Sequence, residues 1–200
     1  MAMAFRALRR CPGAFSSSYS FSSPAAARLV SARSFHATPR ALVKVGDAVP
    51  DLEVLQEDSP GNKVNLAAEF AKSAGGAGVV VGVPAAFSGA CSQTHVPGYI
   101  NHPGLKKAGS VFVVSVNDAF VMKAWADQLD PARESGIRFL ADPTGEFTKA
   151  LELDFDLPAV FGNTRGKRYA LVIENGKVKS VHVEPDNTGT NVSLAEKVLG

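Results

Sequence analysis

Three short apolar runs rich in β-branched residues, 79–83, 111–116 and 137–141, are each followed by a stretch with helical periodicity. A chain built this way has few choices. Each valine-rich run bounded by turn residues buries as a strand, and a helix that follows it must cross back over the sheet, which sets the next strand parallel to the first. The segments 89–96, with a continuation interrupted at Pro97, then 119–128 and 146–153 supply the helices. Ser88, Asp118 and Thr144 stand at their starts as caps able to accept from the orphan amides of a first turn.

Past Arg168 the pattern changes. Two strand-like runs, 169–173 and 177–183, flank Glu174, Asn175 and Gly176, and an Asn-Gly pair in that position is a strong hairpin signal. A turn-rich stretch, 184–189, leads to a last helix over 193–199. Parallel strands crossed by helices, then an antiparallel hairpin and a helix, make an α/β sandwich with a mixed β-sheet flanked by helices. The order is that of a thioredoxin-like fold. Two hundred residues, 46% of them hydrophobic, bury one good core. With no internal repeat, low-complexity tract or long linker after Val43, one domain is expected over 43–200.

The first 42 residues read differently. They hold Arg6, Arg9, Arg10, Arg28, Arg33 and Arg40 and a cluster of serines, and no acidic residue precedes Asp47. That is the composition of an organellar transit peptide, without the continuous apolar core of a secretory signal. The stretch from Arg33 to Leu42 resembles a two-step matrix cleavage pattern, with cuts after Ser34 and Leu42. A mature protein starting near Val43 in the mitochondrial matrix is expected. With those six arginines set aside, 15 basic residues face 19 acidic ones, a balance of about −4 that argues against nucleic-acid binding. The longest apolar run, about 12 residues from Gly76 to Phe87, falls short of the ~20 that a membrane helix needs.

Cys11 lies in the leader, so Cys91 is the one cysteine of the expected mature chain, and no internal disulfide is available to it. His36, His95, His102 and His182 are scattered without ligand spacing, and no metal is expected. The informative segment is 79–98, a strand, a loop and a helix start. With Ser88 as N-cap, Cys91 falls at the third helical position, where unpaired amides and the positive end of the helix dipole favour a thiolate. Pro84 stiffens the loop and shields one side of the pocket.

Pro84, Ser88 and Cys91 have the spacing of the peroxiredoxin active-site signature, with serine where threonine is usual. Gly82-Val83-Pro84, Phe87, Cys91-Ser92, Thr94-His95 and Pro97-Gly98 are similar to the type II, or peroxiredoxin 5, subfamily. The resemblance continues through Lys44 to Asp47, Gly61 to Leu66, Ser115 to Val121, Ala141 to Gly145, Phe161 to Asn163 and Val183 to Asp186. It spans nearly everything after the leader. It implies a thiol peroxidase that reduces hydrogen peroxide and alkyl hydroperoxides, with Cys91 as the peroxidatic nucleophile. Ser88 would be the hydroxyl that orients peroxide and thiolate, and Arg168 the active-site arginine. Attack on an O–O bond needs a thiolate, and the departing oxygen gathers charge that a guanidinium and backbone amides stabilise. His95, four residues after Cys91, shares its helix face and is open to a base role or a pocket-shaping one; a thiolate made by a helix terminus and an arginine needs no base, which favours the second. Phe87, Phe120 and Trp125 are candidates for the pocket, for a dimer surface or for the core.

The resemblance also shows a departure. Where the subfamily often carries a resolving cysteine this chain has Val192, and at the alternative position it has Val114. A one-cysteine enzyme is expected, with no bound cofactor, regenerated by an external thiol: glutathione with glutaredoxin, or thioredoxin. The family further implies a homodimer through the face near the active site. A peroxide sensor, in which oxidised Cys91 forms a mixed disulfide with a protein partner, shares the first chemical step and is the alternative.

Overall fold

The computed structural model describes residues 42–200. Cys11 and all but the last residue of the expected transit segment lie outside the described residues. Among the described residues nine strands form, β1 Leu55–Glu57, β2 Lys63–Val64, β3 Gly78–Val83, β4 Ser110–Ser115, β5 Arg138–Ala141, β6 Asp154–Asp156, β7 Thr164–Gly166, β8 Tyr169–Glu174 and β9 Lys177–Val183. Seven of them make one sheet in the order β2-β1-β5-β4-β3-β8-β9, and β6 pairs with β7 separately. The central β3, β4 and β5 are parallel, while β8, β9, β1 and β2 join antiparallel. The architecture is the mixed-sheet α/β sandwich expected from the order of segments.

Strand alternation divides the core in two. Val79, Val81, Val83, Val111 and Val113 face one side of the sheet, together with Cys91, Tyr99, Met122 and Trp125. Val80, Phe112 and Val114 face the other, with Phe70 of α1 (Leu66–Lys72) and Phe147 of α4 (Glu146–Ala150). The first side carries a π-helical turn, Cys91–His95, running into α2 (Val96–Ile100), then α3 (Ala119–Leu129) and α6 (Ala195–Val198). Both faces are covered, which is why the central strands read as unbroken apolar runs.

Asp118 caps α3 as expected, its carboxylate accepting from the Val121 amide at 2.9 Å. Thr144 does not cap α4. Gly145, at φ 69°, turns the chain so that the buried Asp142 accepts from the Phe147 and Thr148 amides at 3.3 and 2.8 Å. Ser88 precedes the helix that carries Cys91, and its carbonyl accepts from the Ser92 amide at 3.0 Å, but its hydroxyl donates backwards to Ala85 O at 3.0 Å. It therefore supplies no side-chain cap. The strands β1, β2, β6 and β7, the helix α1 and the short α5 (Pro158–Phe161) were not legible in the pattern. The hairpin of β8 and β9 turns at Asn175 and Gly176, both with positive φ.

Candidate active site

The carboxyl end of β3 delivers the chain to a loop that is fixed from the neighbouring strand. Asn117 Oδ1 accepts from the Ala86 amide at 3.0 Å and from Ser115 Oγ at 2.8 Å, which pins the loop over the end of β4. Phe87 follows at φ 61°, a left-handed conformation that costs a bulky residue on the order of 1–2 kcal/mol. The turn it makes allows the helix to begin at Gly89. The amides of Gly89, Ala90 and Cys91 precede the first intrahelical bond, the one from Ser92 to Ser88, so the positive end of the helix opens beside the sulfur. The Val96 amide reaches back five residues to Cys91 O, and this wide turn carries Cys91 and His95 together into the core.

Arg168 meets the sulfur from the other side. Its Nη1 donates to Cys91 Sγ at 3.3 Å, with Cys91 fully buried and Arg168 only 2% exposed. The guanidinium is oriented by a second bond, Nε to Thr188 O at 3.1 Å. Its own backbone is held too: the Arg168 amide donates to Asn187 O at 2.7 Å, and its carbonyl accepts from the Glu184 amide at 3.0 Å.

Behind this pair lies a polar cluster formed with the C-terminal segment. Glu184 Oε1 accepts from the amides of Asn191, Val192 and Ser193 at 2.7, 2.9 and 2.9 Å, and from Ser193 Oγ at 2.8 Å. Burial pushes the carboxyl up, yet the Ser193 amide and hydroxyl and the Asn191 and Val192 amides together hold it below its ordinary value. The Ser193 carbonyl receives the Tyr99 hydroxyl at 2.6 Å and His95 Nε2 at 3.0 Å, so the histidine carries its hydrogen on Nε2. Burial, and next the Arg168 charge, depress His95 to about 4, and it is neutral at physiological pH. Its Nδ1 is buried without a partner among the described residues. Burial likewise raises the Tyr99 phenol above its ordinary value.

Cys91 and Arg168 are thus in direct contact, with Ser88 part-buried one turn before the sulfur and Pro84 buried at the end of β3. His95 has no exposed surface, and its one ring hydrogen points to the C-terminal segment. Phe87 and Phe120 are 48% and 66% exposed, whereas Trp125 is in the core with its ring 6.5 Å from that of Phe87. Val114 is buried on β4 and Val192 is 38% exposed, so neither resolving position carries a thiol. Sequence reasoning gave no role to Glu184, Thr188 and Ser193, because each of their bonds but the one between Glu184 and Ser193 Oγ has a backbone group on one side, and no side-chain spacing announces such contacts. Two surface cavities of about 260 and 410 Å³, one beside Gly78 and Lys179 and one beside His102 and Asp130, contain none of these residues. Among the described residues no three His, Cys, Asp or Glu side chains gather so as to hold a metal ion, and no helix is long and apolar enough to cross a membrane.

The family model described as Redoxin matches residues 44–199. The chain is 42% identical over 161 residues to Peroxisomal membrane associated protein 20 of Schizosaccharomyces pombe, across 79% of this chain and 98% of that one. It is 42% identical over 125 residues to Peroxiredoxin-2F, mitochondrial, of Arabidopsis thaliana, across 61% of each. Among solved structures it is similar to peroxiredoxin 5 from Alvinella pompejana, with a TM-score of 0.63 and 38% identity over 73% of this chain and 92% of that one.

Proposed function

Because the chain belongs to the redoxin family, as a thiol peroxidase of the peroxiredoxin 5 type with a thioredoxin-like fold, we propose that Cys91 is its single working thiol and that an external thiol regenerates it. The observation that carries this is the 3.3 Å contact between Arg168 Nη1 and Cys91 Sγ at the open end of a helix. A guanidinium and a helix terminus both act on negative charge at that point.

The thiolate of Cys91 attacks the terminal oxygen of the peroxide, so that an S–O bond forms as the O–O bond breaks. Sulfur is oxidised to sulfenic acid, and the distal oxygen leaves as hydroxide or alkoxide and takes a proton to give water or an alcohol. Arg168 and the first amides of the helix stabilise the charge as it moves to the leaving oxygen. Ser88 has committed its hydrogen to Ala85 O, and its oxygen lone pairs are free to accept from the O–H of an incoming peroxide. Pro84 closes the pocket on one side. His95 contributes by shape and by its bond to Ser193, since its available hydrogen is turned away from the sulfur.

The sulfenic acid condenses with glutathione, a glutaredoxin or a thioredoxin, because Val114 and Val192 offer no second thiol. The exposed Phe120 and Phe87 support a homodimer that forms beside the pocket. The acid-free, arginine-rich leader and the mitochondrial name of one relative support a location in the mitochondrial matrix.

Steady-state consumption of hydrogen peroxide and of an alkyl hydroperoxide, with glutathione plus glutaredoxin compared with a thioredoxin system, tests this reading. Sustained turnover with one donor, lost in Cys91→Ser, is the expected result. Oxidation that stops after one equivalent with either donor overturns it in favour of a peroxide sensor.

A further inference from the structure

Glu184 is a heavily bonded carboxylate behind the pair of Cys91 and Arg168, yet none of its hydrogen bonds goes to Cys91. Its Oε1 gathers three consecutive amides, those of Asn191, Val192 and Ser193, and the Ser193 hydroxyl as well. The segment so gathered is the one whose carbonyls hold the active-site arginine: Asn187 O takes the Arg168 amide and Thr188 O takes Arg168 Nε. Glu184 also binds Arg168 directly, through its own amide on the Arg168 carbonyl. At the far end of the segment, the Ser193 carbonyl receives His95 and Tyr99, which belong to the wide turn that begins at Cys91 and to the helix after it.

From this closed circuit we infer that Glu184 is a positioning residue for peroxide reduction, tying the 187–193 segment into the shape that aims Arg168 at Cys91. The segment has no regular secondary structure of its own before α6, and its middle residues, Thr188 to Val192, are partly or fully exposed. Without the carboxylate, three adjacent amides lose their shared acceptor, and Thr188 O is no longer fixed opposite Nε. A planar guanidinium held at one edge presents a defined nitrogen to the sulfur, and a loose one does not. The same carboxylate holds Ser193, so the two ends of the wide turn are steadied from one point. This inference rests on Cys91 being the peroxide-reactive thiol.

A double-mutant cycle with Arg168 tests it, with the rate constant for oxidation of reduced protein by hydrogen peroxide measured by competition against a haem peroxidase. In the Arg168 background, Glu184→Ala is expected to lower that rate about 10²-fold, the scale for losing one aimed donor. In an Arg168→Met background the same change is expected to alter the rate by less than about threefold, since there is no guanidinium left to aim. A role confined to stability lowers the melting temperature and leaves the rate unchanged, or lowers the rate by the same factor in both backgrounds; either result overturns the inference. Glu184→Gln, which keeps an acceptor oxygen in place, serves if the alanine variant does not fold. Its smaller loss, about fivefold by weakening charge-assisted bonds, must also vanish without Arg168, and an equal loss in both backgrounds is contrary. If the unmodified protein itself shows no reaction at Cys91, the assignment of the thiol fails, whereas normal reaction with no coupling between Glu184 and Arg168 rejects only this inference.

Discussion

The indole Nε1 of Trp125 donates to Ser92 Oγ at 3.0 Å, tying the one tryptophan of the chain to the residue that follows Cys91. The same indole lies in the core, 5.6 Å from the ring of Phe139 and 6.5 Å from that of Phe87 on the loop before the helix. Any rearrangement of the first helical turn changes what surrounds Trp125. One equivalent of hydrogen peroxide is therefore expected to shift its fluorescence in the unmodified protein and not in Cys91→Ser. An unchanged emission while mass spectrometry records the added oxygen would show that the helix start does not move on oxidation.

Arg168→Lys is expected to be nearly as damaging as Arg168→Met, each lowering the rate with peroxide about 10²-fold or more. A lysine ammonium presents one rotating point of charge, while the guanidinium here uses Nε for Thr188 O and Nη1 for the sulfur at once. Stopped-flow oxidation decides it, and a lysine variant within threefold of the parent would contradict the argument.

At Ser88 only the hydroxyl matters to the proposed chemistry. Ser88→Thr keeps it and restricts its rotamer, and should hold the rate within a few-fold; Ser88→Ala should lose about tenfold, the upper scale of one neutral hydrogen bond. Equal rates for alanine and serine remove Ser88 from the reaction.

His95 gives stability a pH dependence of predictable sign. In the unfolded chain it titrates near 6.5, but in the fold burial and Arg168 depress it to about 4. Between these values the unfolded state takes up a proton that the fold refuses, so stability falls as pH drops from about 6.5 to 4 and levels off below. The integrated loss is on the order of 3 kcal/mol. Urea unfolding across that range, compared with His95→Asn, isolates the contribution. The variant should be less stable at neutral pH and should lose less on acidification. Parallel curves would mean that the histidine is protonated in the fold.

Gly82 sits where β3 passes under Tyr169, and a Cβ there would come within 2.0 Å of the tyrosine ring. Tyr169 is fully buried and adjoins Arg168, so Gly82→Ala must displace the start of β8. A stability loss of about 1–3 kcal/mol by urea midpoint, with a slower peroxide reaction, is expected. A stable variant of full activity would show that the ring can move without the arginine.

The central sheet was legible because Val79 to Val83 and Val111 to Val116 are buried on both faces, and no helix surface has that pattern. The short β1, with Leu55, Gln56 and Glu57, has too few residues to show a period, and β2 is shorter still. Thr144 looked like a cap because it adjoins the helix, but the positive φ of Gly145 hands that task to Asp142. At the site, Cys91 could be read locally from its place after a strand. Arg168 is 77 residues away, and only resemblance joined the two before the fold did. Glu184 fell within a stretch of family resemblance, but nothing gave it a role, since what it binds is a run of amides brought to it by a turn.

A sulfur with no exposed surface sorts its reagents by size. Hydrogen peroxide, two heavy atoms long, needs only a narrow approach along the loop, whereas a tripeptide or protein thiol cannot touch Cys91 until the turn from Ser88 onward lets go. On the proposed chemistry damage and repair then face different barriers: the first oxidation needs only a small peroxide to reach the sulfur, while the rescue waits on fraying of the helix. A second peroxide that arrives before the fraying does carries the sulfur past sulfenic acid to forms that thiols do not reverse. The packing that protects Cys91 from bulky electrophiles thus also sets the oxidant flux above which the enzyme consumes itself.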